Sequence, residues 1–234
     1  MSDLGRFVED KLGHSPQDLS LFERALVHSS VGKDSYERLE FLGDRVLGLV
    51  VARWLYERFP HEPEGKLSRR YNALVAGETC AQVGRELGLP ALIRLGKQAR
   101  DDGANHSDYV LGDVVEALIG ALLLDSGLAP AEAFIRRAWA AYVDGQARPP
   151  QHPKSVLQEL TAARGLPNPA YDVVRQSGAH HAPCFKVRVS LRTGEEAEAE
   201  GTSKQEAETA AALALLSTLS HPARGKGSRG ASVK

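Results

Sequence analysis

The sequence predicts two folded units in one chain: an all-α unit followed by an α+β unit of order α-β-β-β-α. Three observations carry this. From residue 4 to about residue 144, apolar residues recur at intervals of three and four, with no convincing strand between them. A Pro- and Gly-bearing stretch over 144–153 then breaks the pattern and reads as a linker. Beyond it, three short segments of strand character lie between two helical ones.

Taken in order, Leu19-Phe22-Leu26, Val46-Leu49-Val50-Trp54 and Leu118-Leu122 mark buried helix faces. Breaks are predicted at Phe59-Pro60-His61-Glu62-Pro63 and at Gly88-Leu89-Pro90, and the polar segment 96–108 reads as a mobile loop. After the linker, 154–164 reads as a helix with Pro153 in its first turn and Gly165 at its end. Strands are predicted over 171–174, 185–189 and 196–200. Ser203-Lys204-Gln205-Glu206 is a capping box that opens an Ala- and Leu-rich helix ending near Leu219. The expected domains are 1–145 and 152–220, with 221–234 a disordered basic tail.

The chain has 234 residues, room for one medium domain and a small one, and its 42% hydrophobic content argues against disorder. The net charge of −1 hides an asymmetry. Residues 1–144 carry 17 Lys+Arg against 22 Asp+Glu, whereas 145–234 carry 12 against 8. An acidic part that suits cations is joined to a part that tolerates an anionic partner. Arg224, Lys226, Arg229 and Lys234 supply the whole basic excess, so 145–220 is neutral and any basic nucleic-acid surface there must be local. Cys80 and Cys184 lie far apart without zinc spacing, and a reducing, cytoplasmic setting is expected. The first residues lack the pattern of a signal peptide. The longest apolar runs, 46–52 and 117–124, fall short of the ~20 residues a membrane span needs.

The chemistry lies in two apolar stretches that carry acids. One is Glu37-Arg38-Leu39-Glu40-Phe41-Leu42-Gly43-Asp44-Arg45, and the other is Asp113-Val114-Val115-Glu116-Ala117-Leu118-Ile119-Gly120. At about 100° per residue, Glu37, Glu40 and Asp44 share one helix face, as do Asp113 and Glu116. Carboxylates among Leu, Phe, Val and Ile are costly unless something positive meets them, and hard divalent cations with oxygen ligands do so. Gly43 lets either a backbone or a substrate phosphate come close beside Asp44. A single Glu pair three residues apart is more often a solvated helix face; two such pairs in apolar runs point to one or two Mg2+ ions and phosphodiester hydrolysis.

These residues carry a resemblance. The 37–45 stretch and the 113–120 stretch resemble the two signature motifs of the ribonuclease III family. Ala25-Leu26-Val27-His28-Ser29-Ser30 and Glu64-Gly65-Lys66-Leu67-Ser68 are supporting matches, and the α-β-β-β-α segment resembles a double-stranded RNA-binding domain. The resemblance implies an all-α endonuclease domain acting as a homodimer on double-stranded RNA, leaving 5′-phosphate and 3′-hydroxyl ends, with ribosomal RNA precursors among its substrates. It places Glu40, Asp44, Asp113 and Glu116 at the metal-binding catalytic positions, with Mg2+ as cofactor, Mn2+ as a substitute and Glu116 the most sensitive ligand. Glu37 and Glu64 match auxiliary acidic positions, and Phe41 matches the apolar dimer contact. Gln158, Glu159, His180, His181, Ser203 and Lys204 fall on RNA-contact positions, to be read through phosphates and 2′-hydroxyls. Three departures stand out: Gly112 replaces the usual Ala, 98–109 is acidic at Asp101-Asp102 where the family is basic, and Gln205 replaces a second Lys. Two other readings compete, a catalytically silent RNA-binding relative and a helical nucleotide pyrophosphohydrolase. The presence of all four carboxylates argues against the first, and the duplex-binding module against the second.

Overall fold

Helix follows helix through the first unit, as its periodicity predicts. The computed structural model describes residues 3–147, 149–150, 152–179 and 182–220. The chain divides into two compact units, Met1–Pro150 and Gln151–Lys234. The expected basic tail, 221–234, lies outside the described residues.

The first unit runs α1 (Asp3–Phe7, continued by a π-turn over Val8–Leu12), α2 (Leu19–Ala25), α3 (Glu37–Arg58), α4 (Glu64–Leu74) and α5 (Gly77–Leu87). It continues with α6 (Lys97–Asp101), α7 (Asp108–Ser126), α8 (Leu128–Ala138) and α9 (Ala140–Gly145). Helix α7 is buried on nearly every side, from Val110 to Leu122, and so becomes the core helix on which α2, α3, α5 and α8 pack. No helix among the described residues is long and apolar enough to cross a membrane.

Helix α3 turns Leu39, Gly43, Val46, Leu47, Val50, Val51 and Leu55 inward. Leu49, expected on that face, is instead 59% exposed. The stripe follows 46, 47, 50 and 51, and Leu49 falls outside it. Helix α3 ends at Arg58 and α4 starts at Glu64, so the predicted break at 59–63 is present. Gly88 ends α5 in the left-handed region at φ 81°, where glycine is unstrained. The segment 96–108 differs from expectation: α6 and a 3-10 turn (Ala104–His106) occupy it in place of a structureless loop. Arg70, almost fully buried, holds Glu62 through two hydrogen bonds of 2.8 and 2.7 Å, donates to the Gln146 carbonyl and lies 3.8 Å over the Phe59 ring.

The second unit runs α10 (Pro153–Ala163), β1 (Ala170–Ala179), β2 (Ala182–Ser190), β3 (Glu196–Gly201) and α11 (Lys204–Ser220), the predicted order. The antiparallel sheet has the order β1-β2-β3, with Val187 opposite both Val173 and Ala199. Strands β1 and β2 are longer than predicted, because backbone pairing continues to Ala179 opposite Ala182, where the side-chain pattern has faded. A register shift between Val173 and Arg175 bends β1. Leu157, Val189, Leu191, Ala211, Ala212 and Leu215 form the core between helices and sheet. The capping box forms: Ser203 Oγ accepts the Glu206 N–H at 3.1 Å, and the Glu206 carboxylate reaches back to the backbone of Ser203 and, at 2.7 Å, to the Thr202 N–H.

Candidate active site and metal centre

The site is built where α3 crosses α7. A Cβ on Gly43 would lie 1.7 Å from the Glu116 carbonyl oxygen, and one on Gly120 would lie 2.3 Å from the Leu39 carbonyl oxygen. Only glycine permits that approach. Of the two alternatives open for Gly43, the neighbouring backbone is what it admits. The crossing brings Glu40 and Asp44 on α3 beside Asp113 and Glu116 on α7, all partly buried.

The electrostatics record the crowding. Burial first, then the charges of Asp44, Glu40 and Asp113, push the Glu116 pKa up to about 8. Glu40 is raised by burial and by Asp113 and Asp44, and Asp113 chiefly by burial. Three of the four carboxylates have a donor. Arg45 holds Asp44 at 2.6 Å, the Tyr36 hydroxyl donates to Asp113 Oδ2 at 3.1 Å, and the Cys80 thiol faces Glu116 Oε1 at 3.9 Å. Burial and the Glu116 charge raise the Cys80 thiol, so it stays protonated and can donate. Among the described residues, no three His, Cys, Asp or Glu side chains converge closely enough to share one ion as they stand. The donor set nevertheless fits a hard dication: it is all carboxylate oxygen, and Arg45 is the cation whose charge acts on Glu40.

The other sequence-predicted residues spread more widely. Glu37, exposed in the first turn of α3, accepts the Ser35 hydroxyl at 3.1 Å, and its charge still reaches Glu40 and Asp113. Glu64 opens α4, accepts the Ser68 hydroxyl at 2.5 Å, and is not among the charges that shift Glu116. Phe41 is 60% exposed, with Arg45 over its ring at 4.2 Å. It borders a concavity of about 700 Å³ that Arg24, Lys33, Glu37, Leu42 and Leu124 also line. In the second unit, Gln158 and Glu159 are exposed on α10, and Ser203 and Lys204 are exposed where α11 begins. His180 and His181 lie outside the described residues. Sequence reasoning missed Tyr36 and Cys80. Tyr36 adjoins the acidic signature and could have been found there, whereas nothing in the local pattern marks Cys80. Gly112 lies where a Cβ would meet the Gly77 carbonyl oxygen at 3.3 Å and Cys80 Cβ at 3.6 Å, so the departure from Ala fits a close α5–α7 contact.

Residues 18–142 match the family described as Ribonuclease-III-like, and residues 153–219 match the double-stranded RNA binding motif. Fold and site thus define a two-module ribonuclease, a helical nuclease domain carrying a duplex-binding domain. The chain belongs to the ribonuclease III family. Ribonuclease 3 of Zymomonas mobilis is 58% identical to it over 213 residues, covering 91% of this chain and 87% of that protein. Ribonuclease 3 of Rhodopseudomonas palustris is 49% identical over 214 residues, covering 89% and 79%. The nuclease domain of Campylobacter jejuni ribonuclease III superposes with a TM-score of 0.57 at 33% identity, covering 64% of this chain and 99% of that domain. A second structure of that domain, described for flexibility in a region involved in dimer formation, gives 0.55 at 35% identity, covering 56% and 93%.

Proposed function

We propose that this endoribonuclease of the ribonuclease III family hydrolyses phosphodiester bonds on both strands of double-stranded RNA, using Mg2+, for which Mn2+ can substitute. The observation that carries the reading is Glu116, half-buried among three other carboxylates and raised to about 8. Such a cluster is unfavourable in itself and calls for a cation. Glu40, Asp44, Asp113 and Glu116 would hold it, with Asp44 and Glu116 as the catalytic residues. A divalent cation held there supplies charge against the developing phosphate anion and lowers the pKa of an attacking water. The carboxylates orient that water in line with the scissile bond. Its oxygen joins phosphorus as its proton passes to solvent, the bond to the 3′ oxygen breaks, and the departing oxygen takes up a proton from solvent. The products carry 5′-phosphate and 3′-hydroxyl ends.

Residues 1–145 form the catalytic module in this reading and 152–220 the duplex-binding one. Gln158 and Glu159 would face one minor groove, His180 and His181 the next, and Ser203 and Lys204 the phosphates. Glu37 and Glu64 would line the substrate path. The exposed Phe41, Leu49 and Leu124 and the adjoining concavity support a homodimer in which each subunit cuts one strand. Ribosomal RNA precursors and structured messenger RNAs in the cytoplasm are the expected substrates.

The test is end-mapping of duplex cleavage in Mg2+ with wild type and Glu116→Ala. The variant should bind the duplex and leave it uncut; full cutting by the variant would refute the assignment.

A further inference from the structure

We propose that Tyr36 is a positioning residue for Asp113, setting that carboxylate for cation capture; this rests on reading the carboxylate cluster as a metal centre. Tyr36 is 4% exposed and fixed at every point. Its N–H donates to the Val27 carbonyl at 2.9 Å, and its carbonyl accepts the Leu39 and Glu40 N–H groups at 2.8 and 2.9 Å. Its ring meets His28 nearly edge-on, with centroids 5.8 Å apart at 65°. His28 is anchored in turn. Its N–H donates to the Arg94 carbonyl at 3.0 Å, and its Nδ1 takes the Ser30 N–H at 3.1 Å. The Ser30 hydroxyl lies 2.8 Å from that nitrogen and receives the Gly96 N–H at 2.9 Å. The segment around His28 and Ser30, singled out in the sequence without a role, is therefore a buttress behind Tyr36.

A phenylalanine would satisfy every one of those contacts. The hydroxyl does one thing more: it donates to Asp113 Oδ2 at 3.1 Å. Tyr36 caps the start of α3, the helix that carries Glu40 and Asp44, while Asp113 belongs to α7. The hydrogen bond therefore ties the two acid-bearing helices at a second point, beyond the Gly43–Gly120 crossing. It also fixes the orientation of a side chain that burial and nearby acids would otherwise turn away from the cluster. Partners that orient a metal-binding carboxylate change metal affinity by about 10–100-fold when removed.

The experiment uses the full chain stripped of divalent ions. Mn2+ binding without RNA is followed by electron paramagnetic resonance of the free ion in wild type, Tyr36→Phe and Glu116→Ala. The Mg2+ dependence of duplex cleavage is measured in parallel. Tyr36→Phe should raise the Mn2+ dissociation constant about 10-fold and shift the half-saturating Mg2+ concentration alike. Its KM for duplex at saturating Mg2+ should stay unchanged, and a thermal melt confirms that it is folded. A folded Tyr36→Phe protein with wild-type Mn2+ affinity overturns the proposal. If Glu116→Ala loses Mn2+ binding and cutting while Tyr36→Phe loses neither, only the Tyr36 role falls. If Glu116→Ala binds and cuts as wild type does, the metal-centre reading falls and the Tyr36 role with it.

Discussion

The carbonyl oxygen of Glu116 fills the space where a side chain on Gly43 would begin, 1.7 Å from an ideal Cβ. Two helices therefore meet backbone to backbone at the point where their acidic side chains converge. Two residues without side chains, Gly43 and Gly120, set the spacing of the acidic cluster.

Gly43→Ala should accordingly be destabilising. Helix propensity alone gives the opposite sign, since Ala is favoured over Gly by about 1 kcal/mol in a helix interior. The clash is with backbone, which no rotamer can relieve, so the helices must part. A loss of about 3 kcal/mol, the upper end for overpacking, is expected in urea denaturation. Cleavage should fall even under conditions where the variant remains folded. A variant as stable as wild type would show that the crossing can open freely.

Glu116→Gln should reverse the usual direction of a mutation. The folded pKa of Glu116 is raised to about 8 from an ordinary 4.5, so the folded state binds the proton more tightly than the unfolded one. No cost arises below the ordinary value; it grows as pH rises and is complete above about 8. In a chelator at pH 8.5 the variant should exceed wild type by on the order of 2 kcal/mol, less than the full shift because the site is partly solvated. The two should match near pH 4.5. Added Mg2+ should stabilise wild type and not the variant. A variant less stable than wild type at pH 8.5 would count against the crowding of charge around Glu116.

Much of this site was legible in the sequence because it lies on long helices. Glu40 and Asp44 are four residues apart and Asp113 and Glu116 three, and helix geometry fixes which face they share. What was not legible is long-range. The Tyr36–Asp113 bond joins residues 77 apart, and the approach of Cys80 to Glu116 depends on how α5 lies against α7. Helix α6 and the turn that follows read as loop in the sequence because three- and five-residue helices are too short to display a period. The spacing of Leu49 fits the inward stripe; its exposure, with that of Phe41, marks an apolar face that sequence alone does not separate from core.

Phe41→Ala should weaken self-association. Large aromatic residues dominate interface energies, and losing one at the centre costs about 2 kcal/mol or more. The dimer dissociation constant should rise about 30-fold, which sedimentation equilibrium can measure. Monomer stability should change little, because the ring is 60% exposed. An unchanged dissociation constant would place the interface elsewhere.

Lys204→Ala should reduce the salt dependence of duplex binding. Glu208 lies 2.5 Å from Lys154 Nζ but 3.9 Å from Lys204 Nζ, so Lys204 remains the freer cation where α11 begins. A lysine on a phosphate adds about one unit to the slope of log affinity against log salt. Filter binding from 50 to 200 mM salt, roughly the range over which such slopes are read, should show that slope fall by about one, with cleavage preserved at low salt. An unaltered slope would remove Lys204 from the RNA surface.

Asp125→Asn tests stability away from the cluster. The Asp125 carboxylate is fully buried near the end of α7, where the helix dipole opposes a negative charge. Burial also raises its pKa, yet donors win: His14 at 2.6 Å, the Asp18 N–H at 2.6 Å, the Gln17 N–H at 3.0 Å and the Ser126 hydroxyl at 2.9 Å. Together they bring it to about 2. A folded value below the ordinary 3.8 means that the stabilisation is complete above about pH 4 and lost as pH falls through 2. Asp125→Asn should therefore cost about 2 kcal/mol at pH 7, and its deficit should shrink between pH 4 and pH 2. Urea titrations at pH 7, 4 and 2.5 measure this. Because Asp125 pins the segment before α2 rather than the acidic cluster, kcat/KM at 25 °C should stay within about twofold of wild type, as expected for a substitution away from the reacting groups. A pH-independent deficit would mean that the loss is one of packing and not of charge.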